Sequence, residues 1–185
     1  MLEAARLLAD AEVDAIVWCG TAGSWLGPKN DEQMCDAISK ETKTKATTTT
    51  IAQFAAFKHY GSKKIGLVVP YNESLTKQIC DTYAKEGFPI EKKNALGLVS
   101  NLEFGRVPPE KIESMIYDIA DGVDSISILC TNFSLAPRVE RIERKIERII
   151  FDSISVTLWA SLQLVGIKES LRGWGQLLED NPRFP

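Results

Sequence analysis

Two short segments of the sequence, 110 positions apart, end in residues whose types suit acid–base chemistry. Residues 123–132 read VDSISILCTN and residues 13–21 read VDAIVWCGT, so each is an apolar run with the same Val-Asp start and a threonine at the same place. In this alignment Cys130 stands opposite Gly20. A thiol beside hydroxyl and amide groups can move a proton to or from a bound molecule. The sequence therefore predicts two versions of one site at the end of a strand.

The alignment also predicts which thiol faces a ligand. Side chains alternate between the two faces of a strand, so neighbouring residues point in opposite directions. If Cys130 faces a cleft, Gly20 does too, and Cys19 faces the packed side of its strand. A single active thiol, Cys130, is the preferred prediction, and a facing pair of Cys19 and Cys130 is the alternative. A bend at Gly20 would weaken the argument from alternation.

Composition excludes several classes of protein. The 185 residues are 44% hydrophobic and carry a net charge of −3, which gives no sign of nucleic-acid binding. No apolar run reaches membrane-spanning length, and the first residues lack the regions of a signal peptide. The four cysteines lie far apart without a CxxC motif, and there is one histidine, His59, so no metal site is expected. We expect reduced thiols in a cytoplasmic protein. The cysteines are Cys19, Cys35, Cys80 and Cys130.

Strand and helix patterns alternate along the chain. This alternation predicts an α/β architecture in which helices cover parallel sheets, with ligands at the carboxyl ends of the strands. Strands are predicted at residues 15–19, 45–47, 64–69, 90–96, 123–130 and 149–152. Helices are predicted at residues 3–11, 31–40, 49–60, 74–86, 108–120, 137–146 and 155–165.

The remaining stretches are predicted to lack regular structure. They are a glycine-rich loop at residues 20–28, a loop at 97–107, and a poorly defined tail at 173–185. The chain opens on a helix that leads into a strand, which is an unusual start for an alternating fold. We therefore expect that the first strand of this fold is missing at the N-terminal end.

The glycine-rich loop and Tyr71 suggest what the site binds. Loops of this kind present backbone N–H groups near a helix start, where anions bind. The loop lacks the P-loop and GxGxxG patterns, so a carboxylate is the simplest ligand. Tyr71, after an apolar strand, has a phenol that could donate to the same anion, with a packed aromatic as the alternative.

The Cys130 thiol is the candidate for proton transfer to a bound carboxylate. If a helix begins just after Cys130, its backbone donors lower the thiol pKa and make it the fastest-alkylated cysteine; a buried structural cysteine is the alternative. A thiol that faces such donors suits proton transfer at a carbon next to a carboxylate, because the donors hold the enediolate.

Six segments together resemble the Asp/Glu/hydantoin racemase superfamily, in the branch with arylmalonate decarboxylase and maleate isomerase. The resemblance covers about residues 4–178. It implies two pseudo-symmetric α/β lobes, 1–46 with 153–185 (incomplete) and 47–152, with a cofactor-free active site between them. The segments are 20–24, 46–49, 70–71, 101–107, 130–132 and 158–160.

The resemblance also implies roles for single residues. Racemases and maleate isomerases of the superfamily use two cysteines, one at each matched strand end, whereas arylmalonate decarboxylase has glycine at the first position. By that similarity Cys130 is the proton donor, and Cys19 is the candidate for a second thiol. The residues implied in substrate binding are Gly20, Thr21, Ala22, Tyr71, Thr131 and Asn132.

The predicted function is a cofactor-independent enzyme that acts at the carbon alpha to the carboxylate of a small mono- or dicarboxylic acid, with one cysteine as proton donor. A two-cysteine maleate isomerase or Asp/Glu-type racemase is the first alternative. A truncated, non-catalytic relative that binds a small acid is the second. The expected partner is a small carboxylate, and no nucleic acid or membrane partner is expected. Whether the chain forms a homo-oligomer is left open.

Overall fold

The computed structural model describes residues 1–183, and its strands form two parallel sheets. The strands are β1 Ala15–Trp18, β2 Lys45–Thr48, β3 Ile65–Tyr71, β4 Ile90–Leu98, β5 Ser125–Ile128 and β6 Ile149–Asp152. The helices are α1 Leu2–Ala9, α2 Gly23–Leu26, α3 Pro28–Thr42, α4 Thr49–Tyr60, α5 Glu73–Lys85, α6 Asn101–Gly105, α7 Pro109–Ile119, α8 Val139–Ile146, α9 Ser153–Leu164 and α10 Gln176–Asp180. No helix within residues 1–183 has the length and apolar character needed to cross a membrane. The predicted α/β architecture with parallel sheets and flanking helices is confirmed.

The larger sheet, in the order β4-β3-β5-β6, carries the main hydrophobic core. Every residue of β3 is buried, because this strand lies between two neighbours and helices cover it. Helix α7 presents apolar side chains at the spacing of one helical face and packs close to the sheet. At Gly66 an added Cβ would meet the Ile119 side chain at 3.1 Å, so glycine permits this close approach.

The two sheets repeat one strand–strand–helix unit. β1 and β5 occupy the same four positions of the two matched sequence segments. Trp18 pairs with Thr48 at the end of β2, and Ile128 pairs with Asp152 at the end of β6. Thr48 and Asp152 then each cap the following helix with a side-chain oxygen. The pseudo-symmetry therefore extends beyond the strands to the helix that follows each pair.

The structure differs from the prediction in three short helices. α2 lies in the predicted glycine-rich loop, α6 in the predicted loop 97–107, and α10 in the tail predicted to be undefined. Each is only four or five residues long and buries side chains against the rest of the chain. Such short helices depend on tertiary packing, which sequence periodicity does not register. Residues 184–185 of the predicted tail lie outside the described residues.

The boundary between the predicted lobes falls close to the boundary between the sheets. β2, in the smaller sheet, ends at Thr48, two residues beyond the predicted lobe boundary at residue 46. α9, which opens the predicted returning segment 153–185, packs against α4, β1 and β2. The assignment of chain segments to lobes stays a prediction.

Candidate active site

The carboxyl ends of β1, β3, β4 and β5 open into one cavity of about 470 Å³. This volume is typical of sites for small molecules. Every residue predicted for the site lines it, and so does the candidate second thiol, Cys19. The lining residues are Trp18, Cys19, Gly20, Thr21, Ala22, Trp25, Tyr71, Asn72, Leu75, Leu98, Val99, Asn101, Phe104, Cys130, Thr131 and Asn132.

Cys130 lies on the turn that follows β5, two residues beyond the end of the strand. Its backbone N–H donates to Ser153 Oγ at 3.2 Å, and that hydroxyl donates to the Ile128 carbonyl at 2.9 Å. Ser153 is the first residue of α9. One hydroxyl therefore fixes the turn that presents the thiol, and nothing in the sequence analysis assigned Ser153 a role.

The expectation of a lowered pKa at Cys130 is wrong. Burial raises the pKa of this thiol above its ordinary 9.0, although the N–H groups of Asn132 and Phe133 and the Tyr71 hydroxyl oppose the shift. The side chain is only 4% exposed, and no helix begins directly after it, since the next helical residue is Ala136. The thiol therefore keeps its proton at neutral pH. This state suits a proton donor rather than a thiolate nucleophile.

Tyr71 connects the two sheets at the site. Its Oη lies 3.0 Å from Thr21 Oγ1, and its hydroxyl also interacts with the Cys130 side chain. The ring meets Trp25 and Phe104 edge-on, with centroids 5.8 and 5.3 Å away. Burial raises the pKa of the phenol. Tyr71 is therefore a neutral hydrogen-bond donor held in a fixed place, as a carboxylate ligand requires.

The predicted direction of Cys19 is wrong. β1 ends at Trp18, and the Gly20 N–H donates to the Trp18 carbonyl at 3.0 Å in a tight turn. The turn ends the alternation of faces that the prediction assumed. Cys19 is exposed and lines the cavity instead of facing the packed side of the strand.

A buried carboxylate supports the loop that carries Thr21 and Ala22. Asp31, in the first turn of α3, accepts a hydrogen bond from Thr48 Oγ1 at 2.6 Å and lies against Gly23. A Cβ on Gly23 would come within 2.6 Å of this carboxylate, so the contact requires glycine. Neither the role of Asp31 nor this contact was predicted from sequence.

The rest of the cavity wall is uncharged and mostly apolar, with Asn72 and Asn101 as its polar members. None of the described lining residues carries a cationic side chain, so neutral donors must hold an anion here. Asn101 lies beside the cleft, and its carbonyl accepts from Asn132 Nδ2 at 3.1 Å. Segment 101–107 is one of the six that carry the family resemblance, but sequence predicted no role for Asn101. The apolar lining side chains are Trp18, Trp25, Leu75, Leu98, Val99 and Phe104.

The same cavity shows no arrangement suited to metal chemistry. Among residues 1–183, no three His, Cys, Asp or Glu side chains lie close enough together to hold a metal ion. The lone histidine, His59, lies on α4, outside the cavity, and its ring packs against Tyr60. Thiol, phenol, hydroxyl and backbone groups are therefore the chemistry that the described site offers.

Comparison with known proteins identifies the family. The family model described as arylmalonate decarboxylase matches residues 1–178. The chain belongs to the arylmalonate decarboxylase family. The resemblance predicted from the six sequence segments is thereby confirmed.

Relatives of this family member include maleate isomerases. The maleate isomerase of Alcaligenes faecalis is 26% identical over 123 residues, which cover 65% of this chain and 49% of that protein. The matched region thus spans about half the length of that relative.

Solved structures of similar proteins show the same fold. The maleate isomerase Iso of Pseudomonas putida S16, in a variant crystallised with maleate, aligns with a TM-score of 0.90 at 22% identity, over 96% of this chain and 74% of that one. A solved arylmalonate decarboxylase aligns with a TM-score of 0.86 at 18% identity, over 98% of this chain and 81% of that one. At these identities the likeness establishes the fold alone.

Proposed function

We propose that this chain is a cofactor-independent decarboxylase of malonate-type acids, with Cys130 as its one proton donor. The observation that carries the proposal is the buried Cys130 thiol in one cavity with the Tyr71 phenol. Burial keeps the thiol protonated, and Tyr71 with Thr21 offers uncharged donors to a carboxylate. The apolar wall favours an acid whose remaining substituent is an aryl or alkyl group.

The proposed step needs only groups of this chain. The bond between the alpha carbon and one carboxyl group breaks, CO₂ leaves, and the electron pair remains on the other carboxylate as an enediolate. Tyr71, Thr21 and the backbone around Ala22 hold its oxygens by hydrogen bonds, which strengthen as negative charge develops there. Cys130 then gives its proton to the alpha carbon. The thiolate that remains is reprotonated from water.

Proton NMR in heavy water tests this proposal against its rivals. The protein is incubated with phenylmalonate, methylmalonate, maleate, aspartate and glutamate. Loss of CO₂ from a malonate, with one deuterium entering the alpha position, is the expected result. Conversion of maleate to fumarate, or alpha-deuteration of an amino acid without CO₂ loss, would replace the proposal by an isomerase or a racemase. Binding of these acids without any conversion would support a non-catalytic relative.

One observation favours a second candidate function, a two-thiol isomerase or racemase. Cys19 is exposed and lines the same cavity as Cys130. A racemase needs an acid and a base on opposite faces of the carbon, and an isomerase needs a nucleophile beside its acid. If Cys19 takes the second role, its replacement by serine must be as damaging as that of Cys130.

A further inference from the structure

Trp18 occupies the space that a side chain at position 20 would need. The hydrogen bond from the Gly20 N–H to the Trp18 carbonyl folds the end of β1 into a tight turn. This turn brings the indole over the Gly20 Cα. A Cβ added at Gly20 would lie 2.6 Å from Trp18 Cε2 and Nε1 and 2.8 Å from Cζ2, far inside van der Waals contact.

The internal repeat shows which position of the second half corresponds to the space that Trp18 fills. β1 and β5 match position by position, and the match continues to Gly20 opposite Cys130. The indole of Trp18 therefore fills the place that corresponds, in the first half of the chain, to the thiol in the second half.

The indole is also available to a ligand. Trp18 lines the cavity and is 40% exposed, so a bound molecule can reach its ring. Within residues 1–183 nothing accepts a hydrogen bond from its indole N–H. The Trp18 indole therefore gives the cavity wall a flat apolar surface and one N–H group that is free to donate to a ligand.

We propose that Trp18 is the residue that determines the stereochemistry of the reaction, by covering the face of the enediolate that lies opposite Cys130. With the ring in place, neither water nor a second acid reaches that face, and the alpha carbon receives its proton from Cys130 alone. This inference rests on the proposed function for its catalytic consequence. The contact between Trp18 and Gly20 can be tested by ligand binding and thermal stability, which do not require that the protein be an active enzyme.

A double-mutant cycle between positions 18 and 20 tests the contact. Gly20→Ala is made in the wild-type chain and in Trp18→Ala, and the dissociation constant for phenylacetate and the melting temperature are measured. In the wild-type chain the added methyl must displace the indole, so we expect at least tenfold weaker binding. In Trp18→Ala the indole atoms that overlap the added methyl are removed, so we expect a much smaller change in both quantities. Equal effects of Gly20→Ala in both backgrounds would overturn the placement of Trp18.

The stereochemical role is tested with prochiral phenylmethylmalonate. We expect one enantiomer of the product from the wild type and from Trp18→Phe, and a product approaching the racemate from Trp18→Ala, which exposes the second face. Trp174→Ala is the matched control for Trp18→Ala, because Trp174 is 46% exposed but does not line the cavity. A single enantiomer from Trp18→Ala would overturn the inference. A wild type that releases no CO₂ from any malonate would instead refute the proposed function, and the binding cycle would still decide where Trp18 lies.

Discussion

Tyr71 Oη lies 3.0 Å from Thr21 Oγ1, and this hydrogen bond joins the larger sheet to the glycine-rich loop of the smaller one. The two residues are 50 positions apart, so the pair forms only when both sheets have folded and packed. The same phenol also interacts with the Cys130 side chain. One hydroxyl thus links the loop that would bind the carboxylate to the thiol that would donate the proton.

Removal of that hydroxyl should harm catalysis far more than folding. For Tyr71→Phe we expect kcat/KM to fall on the order of a hundredfold, as for the loss of one donor to a developing oxyanion. The free energy of unfolding should fall by only about 1 kcal/mol, because the ring packing stays. Decarboxylation rates and urea denaturation measure the two effects. Tyr117→Phe is the control, since Tyr117 packs under Lys145 and does not line the cavity; equal losses of activity in both variants would contradict the assignment.

The thiol that iodoacetamide alkylates fastest should differ from Cys130, the one expected from sequence. We expect Cys19 to be alkylated first, because it is exposed, and Cys130 slowly, because it is buried and burial raises its pKa. Cys35 should also be slow, since burial raises its pKa to about 11. Peptide mass spectrometry after timed labelling at pH 7.5 gives the order. Saturating phenylacetate should protect Cys19, and fastest labelling of Cys130 would show that its thiolate is populated.

Much of this site could be predicted from sequence, because its residues follow strands. Thr21, Tyr71 and Cys130 each come at or just after an apolar strand, and the carboxyl ends of parallel strands meet at one edge of a sheet. The internal match between residues 13–21 and 123–132 then indicated two equivalent strand ends. Each signal lies within short runs of consecutive residues, so it can be recognised without a structure.

The features that sequence did not predict depend on single tertiary contacts. One hydrogen bond from Gly20 to Trp18 turns Cys19 into the cavity, against the alternation of a strand. The pKa of Cys130 depends on burial by distant segments, and local pattern carries no information about it. Phe104 approaches Tyr71 from a helix too short to show a period.

The pH dependence of turnover should report the protonated thiol. Burial raises the pKa of Cys130, so the acid form persists to higher pH than in a free cysteine. We expect kcat/KM for phenylmalonate to stay level through neutral pH and to fall only above pH 9.0, the ordinary value for this thiol. Rates of CO₂ release between about pH 6 and 10.5 give the profile. A fall that begins below pH 8 would mean that another group carries the essential proton, because kcat/KM reports the pKa values of the free enzyme.

Asp152 should make the stability of the protein depend on pH. Its side chain is fully buried, and burial raises its pKa from 3.8 to about 6, although it caps α9 by accepting from Ile154 N and Ser155 N. Between these two values the folded chain binds more protons at this site than the unfolded chain. Its contribution to the free energy of unfolding therefore falls as pH rises through that window.

Asp152→Asn tests this dependence because asparagine caps a helix but does not ionise. As pH rises from 4 to 7, we expect the free energy of unfolding of the variant to increase relative to wild type by up to about 3 kcal/mol. Asp152→Ala should add a loss of about 1 kcal/mol from the missing cap. Urea denaturation of both variants at several pH values measures the difference. A difference between asparagine variant and wild type that does not change with pH would place the ionisation elsewhere.

The last prediction separates one thiol from two. A single donor is sufficient to protonate an enediolate after CO₂ leaves, whereas racemisation and isomerisation each need a second group. With Cys130 as the only proton donor, Cys130→Ser should lower kcat roughly a thousandfold, the usual scale of a lost general acid. Cys19→Ser should keep most of the activity, because Cys19 is exposed and its replacement leaves the cavity open. Circular dichroism and melting temperature establish that both variants are folded. If Cys19→Ser is folded and as inactive as Cys130→Ser, both thiols take part in the chemistry, and the two-cysteine isomerase or racemase replaces the decarboxylase.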